Sequence, residues 1–490
     1  MLSVPSANGQ CENKQLAKLL SPGPAVFGSA VDLDGDLLVI GAADTSSGGR
    51  AYFYERVSGL WLLAHTVSGP YAQVGESVAI ANGRVFVARR GVAVDVYEKT
   101  GGQWMLAANI PNPIPNVPFT AFGSAMSADG DTLAIGDLNQ TRTYVVSKSG
   151  AGWTSPTLIL PTDSSAFSNF GQSVSLEGNT LVVGAYTAVG GQNSSGAAYV
   201  FAFDGNTWIQ RAKLTDPSST VSVGVGHSVS VRSGLAAIGS HSGRVLVYED
   251  LGLFWALQAI IDRPSNFAQE FGRSVAIAPD RLVIGAYGDT SYAAGAVGSS
   301  YVYAKPGGSW KPALLLTPDT ALGFGTGFGY AIALSGSEVA IGARTEGAGA
   351  TYVMRSTPNP DQSFGAACPG SGGFSPTLAI LSSFDGCKHP GESVSIQLQS
   401  ALGNTGCLLV LGTQSSSIPL PSGCTLLTVS AATPIALPVF GSGPGNGSIT
   451  VGASIPVNFP LVSVFMQAFV FDPGVAQGYC ATNGLRLSVY

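Results

Sequence analysis

Residues 170–214 read FGQSVSLEGNTLVVGAYTAVGGQNSSGAAYVFAFDGNTWIQRAKL. An aromatic-glycine pair (Phe170-Gly171) opens the stretch, and a β-branched run closing on Gly-Ala (Val182-Val183-Gly184-Ala185) follows about ten residues later. A short alternating aromatic strand (Ala198-Tyr199-Val200-Phe201) comes next, and Trp208 opens the last strand. Short apolar runs bounded by Gly, Asn, Asp and Ser are the pattern of brief strands joined by tight turns.

The same order recurs through the first 360 residues at a spacing of 46 to 57. The first landmark appears as Phe27-Gly28, Val74-Gly75, Phe122-Gly123, Phe170-Gly171, Val225-Gly226, Phe271-Gly272 and Phe328-Gly329. The Gly-Ala run or a relative of it starts at Val39, Ala134, Val182, Ala237, Val283 and Ala340. All six tryptophans, Trp61, Trp104, Trp153, Trp208, Trp255 and Trp310, fall in the fourth slot. Four-stranded units repeated in this way make a β-propeller, and seven first landmarks predict seven blades. The last repeat dissolves into Ser356-Thr357-Pro358-Asn359-Pro360 without a fourth strand, while Gln15-Leu16-Ala17-Lys18-Leu19 matches Gln210-Arg211-Ala212-Lys213-Leu214. The N-terminal strand is therefore expected to complete blade seven and close the ring, which protects the sheet edges.

These landmarks resemble the FG-GAP repeats of integrin α-subunit heads and of many secreted bacterial proteins. The resemblance implies a seven-bladed propeller with recognition loops on one face, between strands two and three and between successive blades. It also implies, in many members, calcium held by alternating acids between strands one and two. Here the nearest match is Asp32, Asp34 and Asp36, followed by Leu37-Leu38 where a closing acid belongs. Calcium needs about six to eight oxygen ligands, so the expectation is hairpin turns, no metal and no cofactor. Such Asp-Gly and Asn-Gly pairs tolerate positive φ in tight hairpins.

Composition narrows the class. Charged residues make up 11% of the 490 residues, against about 25% in ordinary soluble domains, which argues against helical bundles and coiled coils. A net charge of −6 supplies no phosphate-neutralising surface, so nucleic acid is excluded as a partner. No apolar stretch approaches the roughly 20 residues of a spanning helix, so an integral membrane protein is not expected. The N-terminus, Met1 to Ser6, shows no basic region followed by an apolar run, so no signal peptide is expected in the chain as it stands.

Catalytic candidates are few. His227 and His241 share one repeat without Glu or Cys at ligand spacing, and Gly226-His227-Ser228-Val229-Ser230 lacks the last glycine of a nucleophile elbow. The tryptophans read as packing anchors between blades. Variable polar and aromatic residues in the loops are the candidates for ligand binding: Arg89, Arg90, Asp137, Tyr186, Asn193, His241, Arg244, Tyr287, Asp289, Tyr292, Arg344 and Glu346. Loops on a rigid scaffold are where recognition groups concentrate.

Past Pro358 the chain turns Pro-, Gly- and Ser-rich, and beyond Ser375 it carries almost no charge. Alternating stretches at 393–398, 407–411, 426–430 and 465–471 predict a β-sandwich. This part resembles a C-terminal module of secreted planctomycete proteins, on Cys368-Pro369-Gly370, Gly423-Cys424-Thr425-Leu426 and Asn483-Gly484-Leu485. That resemblance implies an extracellular or envelope-associated protein, and disulfides suit an oxidising compartment. Cys368 is assigned to Cys424, with the pairing of Cys11, Cys387, Cys407 and Cys480 left open.

The reading is all-β: a tail (1–11), a seven-bladed propeller (12–357), a linker (358–374) and a disulfide-containing β-sandwich (375–490). The expected function is non-enzymatic recognition or adhesion in the extracellular space or cell envelope, with a glycan or cell-surface protein as partner. Two alternatives stand beside it. One is a polysaccharide lyase or hydrolase, which needs acids converging with His, Tyr or Lys near the axis. The other is a structural subunit of a surface assembly, since a charge-poor module offers little resistance to self-association.

Overall fold

The computed structural model describes residues 15–490 except 24–25, 45–47, 70–72, 164–168, 190–195, 219–223, 267, 291–297, 306–307, 319–324, 357–362, 365–366, 381–386, 389–392, 413, 421–424, 430–432, 455–462, 477 and 490. The expected site residues Asn193 and Tyr292, and Cys11 and Cys424, lie outside the described residues. Contacts divide the chain into one unit at Gln15–Thr357 and another that holds Pro358–Tyr490. No helix among the described residues is long and apolar enough to cross a membrane.

The first unit consists of antiparallel sheets of consecutive strands. Sheet one is Ala30–Asp34, Leu37–Ala42, Arg50–Val57 and Leu60–Ser68; sheet two is Val74–Ala81, Arg84–Arg89, Ala93–Thr100 and Gln103–Pro111. Sheet three is Phe122–Asp129, Thr132–Asp137 and Arg142–Ser149, with a fourth strand broken into Gly152–Trp153 and Thr157–Ile159. The break contains Pro156, which has no N–H to give the ladder. Sheet four is Phe170–Glu177, Thr180–Ala185, Ala197–Phe203 and Trp208–Leu214; sheet five is Val225–Arg232, Leu235–Ser240, Arg244–Asp250 and Trp255–Asp262. Sheet six is Phe271–Ile277, Arg281–Ala286, Ser299–Ala304 and Lys311–Leu316. Sheet seven takes Phe328–Ser335, Glu338–Ala343 and Ala350–Arg355 from late in the chain and Gln15–Leu20 from its start, with Lys18 opposite Tyr352.

Two glycine slots set the spacing between neighbouring sheets. The landmark glycine after Phe or Val has positive φ in every repeat, from 77° at Gly75 to 93° at Gly171, a conformation that disfavours a side chain. The glycine of the Gly-Ala run meets the next landmark's carbonyl oxygen: a Cβ on Gly184, Gly239 or Gly342 would lie 2.0 Å from the oxygen of Gly226, Gly272 or Gly28. Gly342 and Gly28 join sheets seven and one, so that junction is as tight as the others. Sheet two carries Ala88 in this slot.

The strand that follows each landmark has one edge with no strand partner, and its amides need acceptors. Side chains of the preceding sheet supply them at one recurring position. Asp32 Oδ2 accepts the N–H of Ile80 (2.7 Å), Ser127 that of Leu176 (3.0 Å), Ser175 that of Val231 (2.9 Å) and Ser230 that of Ile277 (3.1 Å). A second row runs at the start of the strands, where the hydroxyls of Ser77, Ser173, Ser228 and Ser274 donate to the carbonyls of Gly123, Gly226, Gly272 and Gly329.

Apolar packing follows the same junctions. Phe27, Phe122, Phe170, Phe271 and Phe328 are fully buried, and burying such a ring is worth about 1.5–3 kcal/mol. Trp104 of sheet two meets Phe53 of sheet one edge-on (5.4 Å), and Trp153 of sheet three meets Phe86 of sheet two (5.5 Å). Those tryptophans therefore lock one sheet to the one before it. Phe27, Leu38 and Tyr52 share a core with Ala333, Ala340 and Val353 of sheet seven.

In the second unit, Ser363–Phe364, Gly484–Val489, Ser463–Phe471, Thr405–Gly412 and Ile435–Val439 form one sheet in that order, and Thr377–Ile380, Ser393–Ala401 and Gly447–Ser454 form another. Leu378, Ile396 and Leu398 of the smaller sheet share one core with Leu409, Met466, Ala468 and Val470 of the larger. The segment expected to be a linker (358–374) belongs to this unit: Ser363 pairs with Leu485, and the Cys368 amide donates to the Ala481 carbonyl.

Cys368 is disulfide-bonded. Cys407 and Cys480 are free and buried, which corrects the expectation of disulfides at these two positions. They face Val470 from either side of the strand Ser463–Phe471, so two strand spacings, roughly 9–10 Å, separate them. A disulfide tolerates at most about 7 Å between Cα atoms. Burial pushes both thiols up to about 11. Alkylation of the native protein is expected to spare Cys407 and Cys480, with both reacting once denaturant is added; peptide mass spectrometry that finds either modified in the folded chain would contradict this burial.

Candidate functional site

In each sheet the loop between the second and third strands and the connection to the next sheet emerge from the same end. The residue after each landmark glycine stands at that end, at the start of the edge strand that the landmark opens. These residues are Ser29, Glu76, Ser124, Gln172, His227, Arg273 and Tyr330. The last three occupy adjacent sheets and form the centre of a patch.

His227 stacks near His241 (6.1 Å between centroids) and is tilted against Tyr186 (5.7 Å). Arg273 reaches the Nε2 atom of His227 and lies 5.7 Å from the ring of Tyr330. Arg344 covers the same ring at 4.1 Å, and Tyr287 meets it edge-on at 5.4 Å. Glu270 Oε2 is 3.6 Å from His241 Nδ1. Burial, then the charges of Arg273 and His241, hold the His227 imidazole down at about 3, so it is neutral at neutral pH. Burial, with Glu270 beside it, raises Tyr287. The patch thus joins sheets four to seven and is rich in hydrogen-bond donors and half-exposed rings.

Of the residues singled out in the sequence, Tyr186, His241, Tyr287 and Arg344 come together here. The others do not. Arg89 is held by Asp95 (2.9 Å) and Arg90 by Glu76 (2.9 Å) and Gln73 (3.0 Å). Arg244 spans Asp216 (2.8 Å) and Asp262 (2.6 Å). Glu346 takes the Tyr352 hydroxyl (2.7 Å) and pairs with Lys18 (2.5 Å). Asp289 is buried and accepts from the Tyr301 hydroxyl. Asp137, also fully buried, accepts the N–H of Ala121 (2.7 Å) and the hydroxyl of Thr120 (2.6 Å). Arg89, Arg90, Asp137, Arg244, Asp289 and Glu346 thus satisfy internal groups, since a short loop needs polar side chains for its own backbone and ion pairs before it offers any to a ligand.

The residues that sequence reasoning missed are Glu270, Arg273, Tyr330 and the role of His227. Their signal was available: the slot after the landmark glycine varies from Ser to Arg while its neighbours stay fixed. A further missed residue is Phe119, 88% exposed with φ of 59°. Asn139 donates to its carbonyl (2.9 Å), and Thr120 beside it is held by Asp137, so the loop is pinned where it displays a bare aromatic ring.

A separate cavity of about 570 Å³ runs along the first strands of the sheets, bounded by Asp32, Asp34, Asp129, Arg232, Asp280 and Arg281 among others. Burial raises the Asp32 carboxyl to about 6 against two backbone hydrogen bonds that lower it. Asp34 is exposed, and Asp36 pairs with Arg56 (3.2 Å), so the three acids of the candidate calcium loop do not converge. Among the described residues no three His, Cys, Asp or Glu side chains are grouped to hold a metal ion.

Two stretches of the chain, residues 153–201 and 260–303, match the FG-GAP repeat family. No curated protein matches the chain in sequence. Among solved structures it is similar to that of Saccharomyces cerevisiae Sqt1, at 15% identity and a TM-score of 0.42 over 71% of this chain and 100% of that one. The two matched stretches carry repeats of the FG-GAP kind, and the fold is all-β, built of four-stranded sheets like the blades of a propeller.

Proposed function

We propose that residues 15–357 form a seven-bladed FG-GAP propeller closed by Gln15–Leu20, that residues from Ser363 onward form a β-sandwich, and that the chain is a non-catalytic recognition protein of the extracellular space or cell envelope. Support for the closed ring comes from the shared core of sheets seven and one and from the 2.0 Å approach at Gly342. FG-GAP repeats are typical of extracellular proteins, which supports the location, as does the disulfide at Cys368.

The observation that carries the functional reading is the patch around Tyr330, where Tyr186, His227, Arg273, Tyr287 and Arg344 from four adjacent sheets meet at the loop end. Rigid aromatic and guanidinium groups on a fixed scaffold are what ligand recognition uses. His227 at its centre is a poor general base: held near 3, it neither carries a proton to deliver at neutral pH nor takes one readily. The ligand is a carbohydrate or a cell-surface protein.

The test is a glycan array probed with the purified chain, with and without chelator, followed by incubation with whatever is bound. Selective binding, unaffected by chelator and without release of new reducing ends or unsaturated products, is expected. Turnover of the bound glycan would overturn the non-catalytic reading, and a blank array would move the ligand to protein.

A further inference from the structure

The patch sets two arginines that lack an ion-pair partner among the described residues against one aromatic ring. In this chain Arg56, Arg84, Arg89, Arg90, Arg244 and Arg281 each meet a carboxylate within ion-pair distance. Arg273 and Arg344 meet none among the described residues; both lie instead against the ring of Tyr330. A guanidinium has only donors to offer, five of them in a planar fork that matches a carboxylate or sulfate.

His227 adds a third donor. Arg273 can only donate, so the Nε2 atom that it contacts accepts, and a neutral imidazole then carries its proton on Nδ1. That Nδ1 atom is buried with no hydrogen-bond partner among the described residues, and a buried donor left without an acceptor costs about 1–3 kcal/mol. The nearby carboxylate, Glu270, lies on the His241 side of the patch, 3.6 Å from His241 Nδ1. Two guanidiniums with no carboxylate to take their charge and an imidazole N–H with no acceptor, beside two partly exposed tyrosine rings set edge to face, call for a ligand with oxygen anions on a compact body with apolar faces.

We propose that this patch binds an anionic saccharide, with Arg273 and Arg344 taking the oxygens of a carboxylate or sulfate and the Tyr287–Tyr330 corner carrying the sugar ring. The inference rests on the recognition reading above and names the ligand class for that site. Carboxylate and sulfate share this chemistry, and the probes separate them.

The full chain is titrated calorimetrically with polygalacturonate, a sulfated galactan and an uncharged galactan of matched length. Binding to at least one anionic polymer and none to the uncharged one is expected. Arg344→Gln should weaken that binding by about 10-fold or more, as loss of a charged hydrogen-bond pair does. Arg90→Gln, a change in a sheet outside the patch, should leave it unaltered. Matching melting curves for both variants establish that the fold is intact. Equal weakening by Arg90→Gln and Arg344→Gln overturns the proposal in favour of diffuse charge attraction. Failure of both anionic polymers also overturns it. If the array nevertheless shows uncharged glycans bound, the recognition reading survives and only the anionic ligand class falls.

Discussion

Gly239→Ala is expected to destabilise the first unit by about 3 kcal/mol, read as a lowered denaturant midpoint at unchanged slope. Nothing in the glycine's own backbone demands it, since Gly239 lies in an ordinary strand, Leu235–Ser240, opposite Val245. The demand comes from the next sheet. A Cβ there would lie 2.0 Å from the Gly272 carbonyl oxygen and 2.2 Å from the Ser228 hydroxyl that donates to that carbonyl. Backbone cannot rotate away as a side chain can, so sheets five and six must part and loosen the packing along their junction. Sheet two supplies the internal control. Ala88 occupies the same slot there, and a Cβ built on Gly123 would sit 3.0 Å from the Ala88 methyl rather than against a carbonyl. Ala88→Gly should therefore cost only about 1 kcal/mol, from lost burial and greater freedom of the unfolded chain. Equal midpoints for Gly239→Ala and the parent would remove the close approach as the reason for the repeat's glycine.

Asp32→Ser, in contrast, is expected to stabilise the protein at pH 7 by about 1–2 kcal/mol. Asp32 accepts an inter-sheet amide from the slot that holds Ser127, Ser175 and Ser230 in three other sheets, so serine is already proven there. The carboxylate differs in its proton. Its pKa rises from an ordinary 3.8 to about 6 on folding, chiefly by burial. Between these values the folded chain holds the proton more tightly than the unfolded one, so this group's contribution is fully present below about pH 4 and is lost as pH rises through about 6. Solvent in the adjoining cavity screens part of the charge, which sets the figure below the full shift of about 3 kcal/mol. Denaturation of parent and variant at pH 4 and pH 7 checks the sign. The gain should be present at pH 7 and shrink at pH 4; a gain of equal size at both would mean that ionisation of Asp32 is not its source.

The architecture was legible because its landmarks are enforced by close contacts between neighbouring sheets. Phe170-Gly171 announces itself since the phenylalanine is fully buried and the glycine takes φ of 93°. The match between 15–19 and 210–214 was readable for the same reason, as both segments form outer strands of four-stranded sheets. The candidate site was only half legible. An aspartate in a short loop reads alike whether it faces solvent or, like Asp137, accepts two hydrogen bonds in a dry interior. Arginines raise the same ambiguity: Arg90 and Arg344 stand at equivalent positions after the second strand, yet one meets Glu76 and the other a tyrosine of its sheet. In the second unit the boundary was misplaced because Ser363–Phe364 is too short to show any alternation.

The pairing of Gln15 with Met354 has a consequence for the timing of biosynthesis. About 340 residues must be made between the two partners, which takes roughly 20 to 70 s at ordinary elongation rates. During that interval Gln15–Leu20 is a lone strand with nothing to complete, while the sheets behind it fold one after another. Two nascent chains on neighbouring ribosomes then have the means to exchange first strands and emerge as an interlocked pair. A factor that keeps the leader segment occupied until Arg355 has emerged removes that hazard, and delivery of the whole chain in unfolded form has the same effect.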